Sequence, residues 1–556
     1  MSKTLGYAVA GLLAMTVQSA CAAVPTAVFD WVDYQGKEQS NPEAGYFSNP
    51  ILPGFQPDPS IVRVGKDFYL INSSFGFFPG IPIFHSRDLI SWTQIGNALD
   101  RKEQINLAGM GSQRGIFAPA ITHHNGLFSI ITTCIDCGGN FIITATNPRG
   151  PWTNPRWLDF EGIDPSLFVG ADGRGWVVNN GAPDGAPAYE GHRAIWIQEL
   201  DLKSLTMKGP RKVLVNGGVD FSTKPIWIEG PHIYRKDGWF YLTAAEGGTA
   251  GDHSQTIFRS RKVTGPYIPG PSNPILTQRD LPPGRPNAVT ATGHADFVQL
   301  GNGEWATVFL GNRPYEGWLT NMGRETFVLP MRWSNGWPEI LPKGKPVPLT
   351  LPKMIPTRNA QTDWSARRDD FNGVTFAPDW LSLRGRDTAW HSLTETVGAL
   401  SLKATAEPIT EKGFPAFLAL RQRHHAMSFT TKLSFIPQQT GDRAGLLAFA
   451  DEAHYFFFGI EKLPDGTHVV VRRRGKSADP AAGELLAVST TTVPDDASVQ
   501  LRITADGPDY DFTYTLSDGT DVTLLKKADG RILATEYAGL LFTGTIIGPY
   551  AARDPS

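Results

Sequence analysis

The stretch Gln56-Pro57-Asp58-Pro59-Ser60-Ile61, with the turn Gly65-Lys66-Asp67 and the run Phe68-Tyr69-Leu70-Ile71-Asn72 behind it, decides the fold. A small or acidic residue before proline opens a short apolar strand. A tight turn reverses the chain, and an aromatic-rich strand returns. The same order recurs at Ala118-Pro119-Ala120-Ile121, Asp164-Pro165-Ser166-Leu167, Gly230-Pro231-His232-Ile233 and His294-Ala295-Asp296-Phe297. The matching turns are Asn125-Gly126, Asp172-Gly173, Asp237-Gly238 and Asn302-Gly303. A repeat of about 45 to 65 residues, each with several strands, predicts a β-propeller. Five copies predict five blades over residues 47–345. Proline suits the second position because the start of an axis-lining strand needs no ladder donor there.

In a propeller the first strand of each blade lines the central channel. The openings therefore converge: Asp58, Ala118, Asp164, Glu229 beside Gly230, and His294. Three carboxylates and a histidine at one mouth point to glycoside hydrolysis. There one carboxyl protonates the leaving oxygen, and an ionised one activates water or attacks the anomeric carbon. Glu229, among Ile226-Trp227-Ile228, suits the protonated role, because apolar neighbours favour a neutral carboxyl. Asp58 sits between prolines that hold its backbone stiff. A third carboxylate can raise the acid's pKa by like-charge repulsion, and Asp164 in Gly162-Ile163-Asp164-Pro165-Ser166 completes the three.

Past Trp337-Pro338 the chain turns proline-rich, and residues 346–364 read as a linker. From 365 to 556 the repeat gives way to evenly spaced alternating strands, among them Ser428–Phe435, Ala444–Ala450, Tyr455–Glu461, Val499–Ile503 and Leu540–Phe542. These predict a β-sandwich of jelly-roll type, so the whole chain reads as all-β.

The 556 residues suffice for two to four domains. With 51 basic and 54 acidic side chains there is no cationic excess to neutralise phosphates, which argues against a nucleic-acid partner. The 31 Phe and 15 Trp leave aromatic surface for a sugar. At the N-terminus, Lys3, the apolar run Leu5–Val17 and Ala20-Cys21-Ala22 form a secretory signal ending at Ala22. The run is too short to span a bilayer, so the protein is expected to be exported, to the periplasm or beyond, with no membrane span. Residues 23–46 form an N-terminal extension, either a tail or a segment packed on the propeller. Cys134 and Cys137 lack the second pair that a zinc site needs. In an oxidising compartment they read as a local disulfide. His424-His425 reads as an exposed pair on a strand.

Residues 47–340 resemble glycoside hydrolase family 43. The likeness rests on Asn49-Pro50-Ile51-Leu52-Pro53-Gly54-Phe55-Gln56-Pro57-Asp58-Pro59-Ser60, Phe84–Trp92, Asp164–Leu167, Glu229–Tyr234, Ala245–Gly248, Gly293–Ala295 and Gly323–Thr326. Residues 365–550 resemble the family's concanavalin-like sandwich through Asp370-Phe371, Trp380–Arg384 and Phe542-Thr543-Gly544. The resemblance implies an inverting exo-enzyme. It would release terminal α-L-arabinofuranosyl or β-D-xylosyl residues from plant cell-wall oligosaccharides such as arabinoxylan, arabinan or xyloglucan fragments. It implies Asp58 as general base, Glu229 as general acid and Asp164 as the residue that orients Glu229 and tunes its pKa. Arg324 would meet the sugar. His294 would line the channel near an axial ion, a structural Ca²⁺ reached through water. No organic cofactor is implied. Phe75 and Phe78 are drawn toward the sugar subsite, and Phe542 is placed at the pocket's edge. Phe117 stands where many relatives carry Trp before Ala-Pro, which leans the expectation toward arabinofuranose. The rival readings are a propeller that binds sugar without cleaving it and an endo-arabinanase. The sequence leaves the oligomeric state open.

Overall fold

In the computed structural model, which describes residues 24–38, 42–387, 389–494, 497–516, 519–539 and 542–554, each of the five openings leads into the innermost strand of an antiparallel blade. Blade I comprises Ser60–Val64, Asp67–Ile71, Gly80–Ser86 and Thr93–Leu99. Blade II comprises Gly115–His124, Leu127–Ile135, Gly139–Ala145 and Arg156–Trp157. Blade III comprises Ile163–Val169, Gly175–Gly181, Ala194–Asp201 and Thr206–Asn216. Blade IV runs from Glu229–Lys236 through Trp239–Glu246 and Ser254–Ser260 to Ile268–Pro269, and Leu276–Thr277 also pairs with its third strand. Blade V comprises Thr290–Gln299, Trp305–Asn312, Glu325–Ser334 and Trp337–Glu339. The innermost strands touch in sequence, and that of blade V returns to blade I, so the ring closes.

Closure is made by hydrogen bonds between the segment before blade I and the last blade. Asn49 bonds both the N–H and the carbonyl of Val328, and Ile51 N–H donates to Thr326 O at 2.9 Å. Nearer the axis, buried Asp296 of blade V accepts from Ser60 Oγ at 2.8 Å and from Tyr234 Oη of blade IV at 2.5 Å. One carboxylate thus ties three blades together.

A backbone device repeats at the openings. Asp58, Ala118, Asp164, Gly230 and His294 all have left-handed φ, at 51°, 38°, 53°, 57° and 50°. In blades II to V the ladder slips there, three residues facing two of the neighbouring strand. This is a β-bulge, which bends the strand and re-aims a side chain. The bulged ladder offers no acceptor to the next residue. That residue is proline in four blades, and in the fifth Ala295 N–H finds the side-chain oxygen of Gln255 at 2.8 Å.

The second domain stacks two antiparallel sheets. One holds His391–Ser392, Leu400–Lys403, Thr26–Gly36, Ala426–Ser434, Ser498–Asp506, Asp509–Thr515 and Asp521–Asp529 in that order, with Ala366–Asp369 beside Thr26–Gly36. The other holds Ala416–Phe417, Ile546–Ala552, Arg443–Asp451, His454–Leu463, Gly466–Arg474 and Glu484–Val488. Of the expected strand Leu540–Phe542, Leu540 and Leu541 lie outside the described residues, as does the signal segment 1–22. Phe542 sits in a bend.

The N-terminal extension is corrected by the structure. Its strand Thr26–Gly36 is neither a tail nor a segment packed on the propeller. It is an interior strand of the sandwich, paired along its length with Ala426–Ser434. The alternation in Thr26-Ala-Val-Phe-Asp-Trp-Val-Asp-Tyr34 buries Ala27, Phe29, Val32 and Tyr34 in the sandwich core. His424 is also corrected: it is buried, with its ring nitrogen 2.9 Å from Tyr34 Oη. The sandwich is therefore completed from both ends of the chain. Phe29→Ala should cost about 3–5 kcal/mol, as for a fully buried aromatic, read as a lower denaturation midpoint. An unchanged midpoint would mean that the strand is not part of the core.

Candidate active site

The left-handed openings bring Asp58, Asp164 and His294 to one cavity of about 630 Å³, which Glu229, Arg324, Phe117, Asn180, Arg193, Trp227 and Phe542 also line. Glu229 stands one residue before its blade's bulge. The bulge position itself is Gly230, where a Cβ would come within 2.9 Å of the His294 ring. Glycine clears the space for the imidazole, and the acid arrives from the preceding position.

Asp58 is held on both oxygens. Arg324 Nη1 donates to one at 3.0 Å, and Ser73 Oγ donates to the other at 2.6 Å. Ser73 in turn accepts from Ala118 N–H at 2.6 Å, so the blade II bulge buttresses the blade I carboxylate. Burial alone would raise the pKa of Asp58. Arg324 foremost, with His294 and the Ser73 hydroxyl, outweighs it and holds the group below the usual carboxylate range.

Glu229 is in the opposite state. Burial, then the charges of Asp164 and Asp58, push its pKa well above the ordinary value. Asp164, buried and repelled by Asp58, is itself pushed up to about 7. Gly230 N–H donates to Asp164 Oδ2 at 3.2 Å, which favours the anion on that residue. Of the pair, Glu229 therefore keeps the proton near neutrality. Two carboxyls with opposite protonation around one cavity are what acid–base cleavage of an acetal requires.

Phe75, Phe117 and Phe542 form one aromatic wall. Phe75 stacks on Phe542 with centroids 5.9 Å apart and meets Phe117 edge-on at 4.9 Å. Phe75 is itself buried behind the lining. Phe542 is held by the propeller, since its N–H donates to Gln113 Oε1 at 2.7 Å and its carbonyl accepts from Arg324 at 3.3 Å. Phe78 is not in this cavity. Its strand Phe77–Phe78 pairs with Ser382–Leu383 of the sandwich, so it faces a groove at the domain seam with Phe376 and Pro378. The subsite expectation for Phe78 is thus corrected by strand pairing.

His294 Nδ1 lies 3.7 Å from Asp58, and burial lowers its pKa to about 4, so the ring is neutral at neutral pH. The surroundings do not fit a protein-built calcium cage. Ca²⁺ takes about six to eight oxygen ligands. Among the described residues no three His, Cys, Asp or Glu side chains are grouped to hold a metal ion. An axial ion near His294 would depend on water, and no chemical step is derived through one. Cys134 and Cys137 are disulfide-bonded beside the rim, next to Ile135, which lines the cavity.

Residues 47–338 match the model for glycosyl hydrolases family 43, and residues 368–556 match that for the beta xylosidase C-terminal concanavalin A-like domain. The chain belongs to glycoside hydrolase family 43. It is a glycoside hydrolase. The chain is 41% identical over 431 residues to a Butyrivibrio fibrisolvens protein named xylosidase/arabinosidase, covering 75% of this chain and 80% of that one. It is 35% identical over 516 residues to a Bacteroides ovatus protein named non-reducing end alpha-L-arabinofuranosidase BoGH43B, covering 91% of each. Among solved structures, a GH43_12 protein retrieved from capybara gut metagenome superposes with a TM-score of 0.87 at 37% identity, covering 95% of this chain and all of that one.

Sequence reasoning missed Ser73, Asn180, Arg193 and Trp227. Ser73 and Asn180 sit at strand ends with no repeat signal. In sequence Trp227 reads only as an apolar neighbour of Glu229. The electrostatics predict how the rate titrates. Asp164→Asn removes a charge that raises the Glu229 pKa, so the basic limb of the kcat/KM profile should move to lower pH. Arg324→Met removes the main group depressing Asp58, so the acid limb should move up. Limbs that stay in place in both variants would refute these assignments.

Proposed function

We propose that this enzyme is an inverting exo-glycosidase that releases terminal α-L-arabinofuranosyl and β-D-xylosyl residues from plant cell-wall oligosaccharides. The observation that carries the reading is the opposed protonation of Asp58 and Glu229 in a pocket walled on one side by Phe542 of the second domain. The names of the relatives support the two sugars. A terminal pentose enters with its ring against the aromatic wall. Asp58 takes the proton of a water attacking the anomeric carbon, while Glu229 gives its proton to the departing glycosidic oxygen. Asp164 keeps that proton on Glu229 before the reaction. Arg324 keeps Asp58 ionised and reaches the sugar. A side wall contributed by another domain suits removal of chain ends over cleavage within a chain. On this reading the N-terminal 22 residues direct export, and the Cys134–Cys137 disulfide suits an oxidising compartment.

The test is initial rates on 4-nitrophenyl α-L-arabinofuranoside and β-xyloside, with linear oligosaccharides alongside. Asp58→Ala should be near-dead on all of them. Glu229→Ala should lose at least about a hundredfold on natural linkages and much less on activated aryl glycosides, whose leaving group needs little protonation. Equal losses on both would refute the acid role. Release of oligomers rather than monosaccharide would favour the endo-acting reading.

A further inference from the structure

Resting on this reading, we propose that Trp227 and Arg193 form the leaving-group subsite, a stacked platform that takes the second sugar of the substrate. In an inverting displacement the leaving group departs on the side of the acid and water arrives on the side of the base. The two sides of the pocket are distinguishable. The base side holds Asp58, Arg324 and Phe542, joined by the Arg324 hydrogen bonds. Around Glu229 gather Asp164, bonded to the next residue's N–H, Trp227 two residues before it, and Arg193 over the Trp227 ring.

Trp227 stands two residues before Glu229 in a strap of irregular backbone. Its φ of 50° is left-handed, a strained state for a bulky aromatic. The strap is pinned on both sides. Trp227 N–H donates to Gly191 O at 2.9 Å, and Gly247 N–H donates to Ile226 O at 3.0 Å. Strain of this kind persists where the surroundings over-determine it, and it collects at functional sites. The Arg193 guanidinium lies 4.2 Å from the Trp227 ring centroid. Among the described residues its side chain makes no hydrogen bond or ion pair, so its donors are free for sugar hydroxyls. Next along the strap, Ile226 is 42% exposed and extends the apolar surface outward. An aromatic face flanked by a cation with unused donors is built to receive a pyranose or furanose ring.

A rival place for the second sugar is the adjoining cavity of about 310 Å³ lined by Trp318, Asn312 and Glu536. It joins the main pocket at Arg324 and Phe542 and at Thr249 and Ala250, and includes neither Glu229 nor Trp227. Its lining omits the acid itself, whereas the Trp227 strap leads directly into Glu229.

The experiment compares kcat/KM on xylobiose and α-1,5-arabinobiose with kcat/KM on the matching glycosyl fluorides, whose leaving group cannot fill a sugar subsite. For Trp227→Ala and Arg193→Ala the disaccharide-to-fluoride ratio should fall about tenfold or more, and Trp227→Phe should recover part of it. Arg193 is the control for folding, because its removal leaves the Glu229 strap intact. A ratio unchanged in both alanine variants overturns the proposal, and so does a ratio that falls only in Trp318→Ala. Wild-type enzyme that releases no pentose from any of the four probes overturns the glycosidase reading itself, a result distinct from an altered ratio.

Discussion

The catalytic arrangement depends on one backbone constraint, a left-handed residue at the start of each innermost strand. Four of the five are not glycine, and each such residue costs about 1–2 kcal/mol relative to ordinary strand geometry. The return in blades II to V is that one extra residue per strand turns a side chain off the pleat. Without the bulge, strict alternation would leave the opening residue either between blades or in the ladder. Proline after the bulge follows from the same constraint, since the position has lost its acceptor. Ala295 in blade V shows it from the other side: with an N–H present, a dedicated partner, Gln255, is supplied.

The second constraint is charge. Of the arginines lining the pocket, Arg324 is the one hydrogen-bonded to a carboxylate of the three, and it bonds only Asp58. A second arginine paired to Glu229 or Asp164 would depress the acid and remove its proton near neutrality. With Arg324 hydrogen-bonded to Asp58, burial and mutual repulsion outweigh the lowering influences on the other two. The neutral His294 fits this balance, because an imidazolium there would draw all three carboxyls toward the ionised state. Arg193 sits on Trp227, and its lowering influence on Glu229 is smaller than the raising ones.

The propeller was legible because its signals are local: a proline, a turn dipeptide and an aromatic strand repeat in order, and the carboxylates sit at fixed offsets within them. What was missed is non-local. Nothing in Thr26–Gly36 says that its partner lies about four hundred residues on. Its alternation predicts a strand but not the sheet that receives it. Ile546–Ala552 was also missed, since Gly548-Pro549 reads as a turn. In the structure it is an interior strand, and its neighbour splits into Ala416–Phe417 and Leu420–Arg421 opposite that dipeptide. The break in the neighbour accommodates the missing donor. Phe78 was misplaced for a related reason. Proximity in sequence to Phe75 suggested one loop and one site, but Phe78 pairs with Ser382 across the seam, while Phe75 bridges to Ile116 of blade II.

The second domain does more than cover surface. The backbones of Gly323 and Gly544 approach so closely that a Cβ on either would come within 2.6 Å of the other segment. Gly323 precedes Arg324, and Gly544 lies two residues after Phe542. The contact that docks the domains is therefore also the contact that sets the arginine on Asp58 and the phenylalanine over the wall. The interior strand Thr26–Gly36 belongs to the same argument. Because the sandwich takes a strand from before the propeller and the remainder from after it, the chain enters and leaves the propeller on the sandwich side. The seam is anchored by covalent connections at two points as well as by packing. A wall residue delivered by a domain tethered twice is held in register with the carboxylates, and a pocket closed on that side admits a chain end where an open groove would admit a chain.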